Sequence, residues 1–183
     1  MVPYEAPQGR RLNVIGGYFT HGPEAGTFEF VSLASLPKAQ RQTANPEASA
    51  AKHGLSADEV GVIDSHAFVG FLWVLAGRPA DAGPEWRRAV PLEIWLDNYS
   101  VHKSEVVRWE RAALERANVT LHYLPAYCPE LSGIEHVWQD VKHHCLPQRS
   151  YKQTGDLKEA VDLALTRKAA AMKKGSASLA APA

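Results

Sequence analysis

The sequence predicts an α/β protein, and three stretches carry that prediction. An apolar run, Leu92-Glu93-Ile94-Trp95-Leu96, stops at Asp97-Asn98. Apolar side chains at helical spacing then follow between Ser104 and Asn118. A β-rich run, Val119-Thr120-Leu121-His122-Tyr123-Leu124, comes directly after. Strand, helix and strand in about thirty residues imply a right-handed crossover and a parallel pair. At 183 residues the chain has one domain's length, and 45% hydrophobic residues suffice for a core.

Residues 1–11 are rich in Pro and Gly and lead into a strand, Leu12–Phe19. Thr27–Leu33 reads as its hairpin partner across His21-Gly22-Pro23. Residues 34–62 are Ala-, Gln-, Pro- and Ser-rich and read as a long polar insertion with a short helix near Glu47–His53. Asp64-Ser65 then caps an apolar helix through Phe68, Phe71, Leu72 and Leu75, which ends near Gly77 and Pro79. Residues 80–91 form a loop.

The alternation from Leu92 to Leu96 fits a strand buried on both faces, with Ile94 and Leu96 on one side and Trp95 on the other. Asp97 and Asn98 fall at its carboxyl end, where open α/β sheets place their ligands. Ser104 is the expected N-cap of the next helix, with Val106, Trp109, Ala113 and Ala117 as its apolar stripe. Pro125 and Pro129 bar regular structure after the second strand, and Ser132 or Gly133 opens a further helix. Its stripe is Ile134, Val137, Trp138, Val141 and Cys145. At about 100° per residue Glu135 lies on the border of that stripe, flanked by Gln139 and Lys142, in a position to lean toward Asp97. Leu146-Pro147 stops the helix. Leu157, Val161, Ala164 and Leu165 mark a last amphipathic helix with a basic end, and the tail from Ser176 is expected to fray.

Twenty Lys and Arg balance twenty Asp and Glu, so the net charge is zero. A nucleic-acid enzyme of this composition must gather its positive charge on one face or rely on a separate gripping part, because affinity for DNA comes mostly from phosphate neutralisation. Two cysteines imply a reducing compartment and no disulfide framework. No apolar run is long enough to span a membrane, and no leading apolar segment suggests secretion. His143-His144 resembles a metal pair, yet neighbours on a helix point about 100° apart, which favours a solvated reading. Asp64 follows an apolar run, but an N-cap role explains it fully. Cys128 lacks a neighbouring base for nucleophilic work.

Two phrases carry a family resemblance. The first is Leu96-Asp97-Asn98-Tyr99-Ser100-Val101-His102-Lys103. The second is Leu124-Pro125-Ala126-Tyr127-Cys128-Pro129-Glu130-Leu131-Ser132-Gly133-Ile134-Glu135-His136-Val137-Trp138. Together they resemble the DDE superfamily endonucleases, and more narrowly the mariner-type insertion-sequence transposases. That family's pattern is Leu-Asp-Asn-x-x-x-His, then Leu-Pro-x-Tyr-Ser-Pro-Glu-Leu-Asn-Pro-Ile-Glu-x-x-Trp. Cys128, Ser132 and Gly133 depart from its Ser, Asn and Pro; none of the three carries the chemistry.

The resemblance implies an RNase H-like mixed sheet flanked by helices, in which three carboxylates hold two Mg²⁺ or Mn²⁺ ions. Two ions about 4 Å apart activate the attacking oxygen and stabilise the leaving oxygen of a phosphodiester. Asp97 matches the family's second acid and Glu135 its third. Asn98, His102, Lys103, Gln139 and Lys142 are expected to line the site or touch DNA, with a solvated loop histidine as the competing reading of His102. The implied partners are DNA, at transposon ends and target, and a second transposase copy. The implied setting is the cytoplasm of a prokaryotic host, at the nucleoid when DNA is bound.

The phrase Gly9-x-x-Leu12-Asn13-Val14-Ile15-Gly16 resembles the family's second strand, so the first strand and first acid are expected before Met1. The expected division is therefore a partial catalytic domain over 1–146 with the insertion at 34–62, a helical extension over 147–175, and a disordered tail over 176–183. The chain alone is expected to be catalytically incomplete. The alternatives are a non-catalytic remnant or regulatory fragment that binds DNA or transposase, and an unrelated phosphohydrolase using Asp97. The second phrase argues against the last, which has no use for it.

Overall fold

A computed structural model of the chain describes residues 10–125, 132–146 and 151–180, with side chains described as far as residue 175. Two compact units form: residues 63–135, and the flanking segments 1–62 and 136–183. Each unit has its own two-stranded ladder, and each ladder organises its own apolar neighbours.

The flanking unit begins with a hairpin of β1 (Leu12–Tyr18) and β2 (Phe28–Ala34), paired antiparallel with Ile15 opposite Val31. The loop between them closes through Phe19 N–H donating to Thr27 O and Gly26 N–H donating to Phe19 O. The polar insertion is a string of short elements: α1 (Lys38–Arg41), α2 (Pro46–Ala51) and a 3₁₀ turn at Ala57–Glu59. Asn45 caps α2 by accepting from Ala48 N–H. Gly61 N–H then donates to Ala34 O, which covers one end of the outer edge of β2.

The division between the units falls within α5 (Ile134–Asp140), whose part from His136 onward belongs to the flanking unit and buries Val137; a π-turn (Val141–Cys145) continues it and buries Val141. Trp138 meets Phe28 edge-on at 5.7 Å. Gly16 allows this approach, because a Cβ there would lie 2.7 Å from the Trp138 ring. α6 (Thr154–Ala180) packs along β2 and buries Ala164 and Leu165. It runs to Ala180, past Ser176, where the sequence predicts fraying.

Residues 63–135 hold the strand–helix–strand segment. α3 (Ser65–Leu75) starts at Asp64, whose Oδ1 accepts from His66 and Ala67 N–H at 3.0 and 2.9 Å. Gly77, at φ +70°, follows its end in the left-handed conformation that glycine tolerates. β3 (Leu92–Leu96) pairs in parallel with β4 (Val119–Tyr123), Ile94 opposite Leu121, with α4 (Glu105–Arg116) as the crossover. Ser104 Oγ accepts from Val107 N–H, so the expected N-cap forms.

Two details of this segment depart from the sequence reading. β3 is buried on one face only: Leu96 is 7% exposed, whereas Trp95 is 60% exposed and Glu93 is also exposed. α4 packs on α3 and β4 through Val107, Leu114 and Ala117, which are buried, while Trp109 is 75% exposed. The working stripe is therefore turned about one residue from Val106 and Trp109. Spacing alone does not separate the two stripes; the neighbours α3 and β4 select one.

An antiparallel and a parallel ladder with helices packed on them make a mixed α/β architecture, consistent with the RNase H-like class. Among the described residues no strand joins the two ladders into one sheet. No described helix is long and apolar enough to cross a membrane.

Candidate active site

The end of β3 is built by short-range chemistry. Asp97 is the first residue beyond the strand, and its side chain is 58% exposed. Its Oδ1 accepts from Tyr99 N–H at 2.9 Å, an Asx-type turn that reverses the chain out of the strand. The same oxygen lies 2.7 Å from Nδ1 of His102. Among the described residues Oδ2 has no partner. Asn98 serves the scaffold instead: its Nδ2 donates to Leu124 O at 2.8 Å and ties the end of β3 to the end of β4.

His102 sits in a 3₁₀ turn, Ser100–Lys103, and its side chain is 17% exposed. Its ring stacks on Phe68 of α3 at 4.3 Å with 29° between planes, and meets Tyr99 edge-on at 5.9 Å. Tyr123 O–H donates to His102 O at 2.7 Å, so the end of β4 holds the backbone that carries the imidazole. Lys103 Nζ lies 5.6 Å above the Tyr123 ring. Asp97 and His102 are thus in contact, while Asn98 turns to Leu124 O and Lys103 to the Tyr123 ring, and the burial and stacking of the His102 ring set it apart from a solvated loop histidine.

Glu135 lies in the same unit, in the first turn of α5, half-buried, with its N–H donating to Ser132 O. Tyr127, Cys128, Pro129 and Glu130 lie outside the described residues. Gln139 and Lys142 are exposed and belong to the other unit. His143 and His144 are exposed there too, their rings 6.5 Å apart. Asp64 is committed to capping α3. Sequence reading missed the supporting cast of Tyr99, Phe68 and Tyr123. The Asp-x-Tyr turn has a local signal, but Phe68 stands 34 positions before His102 and its spacing marks only core.

A divalent cation fits part of this arrangement. Mg²⁺ prefers hard oxygen donors, keeps several waters and takes one or two carboxylates. Asp97 offers such an oxygen at the unpartnered Oδ2, and Glu135 is the second acid that the family pattern singles out. Among the described residues no group of three or more His, Cys, Asp or Glu is arranged around a single ion. Of the four acids that line a shallow cavity in the other unit, Glu59 and Asp162 are paired with Lys158 and Asp156 accepts from Gln153 N–H.

Asp97, with one oxygen held, stands at the carboxyl end of a parallel strand, where open α/β sheets commonly place their ligands. A family model for DDE superfamily endonuclease matches residues 49–158, a stretch that spans α3, β3, Asp97, β4 and Glu135, and the chain belongs to that family. No curated protein matches the chain.

Proposed function

We propose that this chain is the catalytic portion of an insertion-sequence transposase that cuts and rejoins DNA with divalent metal ions. The observation that carries the reading is Asp97, with Oδ1 fixed by Tyr99 and His102 and Oδ2 open, in a chain of the DDE endonuclease family. Asp97 and Glu135 are the residues that would hold Mg²⁺ or Mn²⁺. Such ions, when bound, polarise the phosphate and activate the attacking oxygen. The chain's own part is to present the carboxylates: the Asx turn and Asn98 fix the strand end, and Lys103 supplies positive charge beside it for a phosphate. DNA is the substrate class, and a second transposase copy is the proposed partner.

With Asp97 and Glu135 as its two identified acids, the site is expected to bind the metal weakly and, unless a further acid joins them, not to cut DNA. Nicking of supercoiled plasmid with Mn²⁺, alongside calorimetry, tests both statements. The expected result is weak Mn²⁺ binding lost in Asp97→Ala, with no nicking above background. Robust nicking that disappears in Asp97→Ala would mean that a further acid completes the site. Mn²⁺ binding that ignores Asp97→Ala and Glu135→Ala would remove the metal reading. A second reading, a non-catalytic fragment that engages DNA or a full-length transposase, draws support from the two separate ladders, whose strand edges suit pairing with another chain.

A further inference from the structure

We propose that His102 is a positioning residue that holds the Asp97 carboxylate for metal binding; the inference rests on the metal reading above. The argument is geometric. Nδ1 of His102 lies 2.7 Å from Oδ1 of Asp97, a distance at which two lone pairs repel and only a proton on Nδ1 makes the contact attractive. The ring therefore donates, and Oδ1 accepts from two directions, His102 and Tyr99 N–H. An acid free to rotate presents either oxygen to solvent. This one has an oxygen held by two donors and one without a partner among the described residues, so the two contacts favour a single orientation of the carboxylate.

Three contacts made by other parts of the unit hold the imidazole in turn. Phe68, 2% exposed on α3, stacks beneath it, Tyr99 closes on its edge, and Tyr123 O–H fixes the carbonyl of His102 itself. Few surface histidines are fixed on the face, the edge and the backbone. A merely structural ring would need the stack alone. The hydrogen bond to a carboxylate that otherwise stands in solvent is the part that packing does not account for. Partners of metal-binding carboxylates matter in this way because orienting a ligand beforehand removes the cost of ordering it on binding.

Two substitutions separate the roles. His102→Phe keeps the stack on Phe68 and loses the donor. His102→Asn places an amide N–H where Nδ1 stands and loses the stack. Mn²⁺ binding to the full 183-residue chain is followed by electron paramagnetic resonance, thermal unfolding of each variant is recorded, and long-range ¹H–¹⁵N spectra report the ring tautomer. The expected result is Mn²⁺ affinity about tenfold weaker in His102→Phe at unchanged melting temperature, and within about threefold of the parent in His102→Asn despite a lower melting temperature. The spectra should show Nδ1 protonated. Parent-like affinity in His102→Phe, or a neutral ring protonated only at Nε2, would overturn the proposal. Mn²⁺ binding that is indifferent to Asp97→Ala would bring down the metal reading of Asp97 and the proposal with it. A protonated Nδ1 in that case would locate the failure in the metal reading rather than in the contact.

Discussion

The Lys158 network of the flanking unit and Asp97 of the 63–135 unit treat their carboxylates in opposite ways. In the flanking unit every oxygen of Glu59 and Asp162 is engaged. Asp162 accepts from Ser32 Oγ on one oxygen and from Lys158 Nζ at 2.7 Å on the other. Glu59 lies 3.4 Å from the same Nζ through Oε1, and its Oε2 accepts from the N–H and Oγ of Ser56 at 2.9 Å each. Lys158 is 8% exposed, so this is a partly buried charge network closed on itself. In the 63–135 unit Asp97 is held by one oxygen and leaves the other to solvent. Glu59 and Asp162 are thus tied into a structural network, whereas Asp97, at a strand end, keeps one oxygen with no partner among the described residues.

The largest expected effect sharpens this contrast. Asp97→Ala should weaken Mn²⁺ binding by about 100-fold, at the top of the range seen even for indirect partners of a metal, while stability falls by only about 1 kcal/mol, the worth of the turn's hydrogen bond to Tyr99 N–H. Titration with Mn²⁺ and urea unfolding of the same preparation check both halves. A large loss of stability with unchanged metal binding would make Asp97 a structural acid like Asp162.

Lys158→Met should show the reverse pattern. The methionine keeps the packing of the lysine stem but strands Asp162 and Glu59 without their cation. Removing one partner of a buried pair is strongly destabilising; with both acids about one-third exposed, we expect about 2 kcal/mol, read from the urea midpoint. Mn²⁺ affinity should not move. Next in size is Asn98→Ala, which unties the ends of β3 and β4 and should cost about 1 kcal/mol. A neutral result there would mean that the ladder holds its own ends.

The sequence made local features legible. The hairpin, the Asp64 and Ser104 caps and the β3–α4–β4 crossover rest on periodicity and capping chemistry within a few residues, and they stand in the structure. What depended on neighbours distant in sequence was not legible. Trp95 was assigned to a buried face by strand alternation and Trp109 to the stripe by helical spacing, yet they are 60% and 75% exposed, Trp95 with only His122 stacked on it at 4.6 Å among the described rings. At the site, the two motif phrases marked Asp97 and the neighbourhood of His102. Their contact, and the Phe68 stack behind it, required a fold that brings α3 under the turn after β3.

The smallest expected effect concerns pH and tests whether the flanking unit's network behaves as a closed one. The backbone N–H of Ser56 is the main influence that draws the Glu59 carboxyl below its ordinary value; burial opposes it, and Ser56 Oγ and Lys158 add to the lowering. For Lys158, burial pushes the ammonium down, but Asp162 and Glu59 together outweigh it and the net shift is upward. The signs then follow by linkage. An acid lowered on folding contributes stability that is full above its unfolded value, about 4.3, and is lost as pH falls through the lower folded value. A lysine raised on folding contributes fully below its unfolded value, about 10.4, and loses that contribution as pH rises through the higher folded value. Between the two limits the network's contribution should be flat. Glu59→Gln keeps an acceptor for Ser56 but has no charge to titrate, so urea unfolding from pH 3 to 6 should fall less steeply on the acid side than in the parent. Lys158→Met should abolish the alkaline fall. If Glu59→Gln leaves the acid limb unchanged, Glu59 is not part of the closed network, and the contrast with Asp97 would then rest on Asp162 alone.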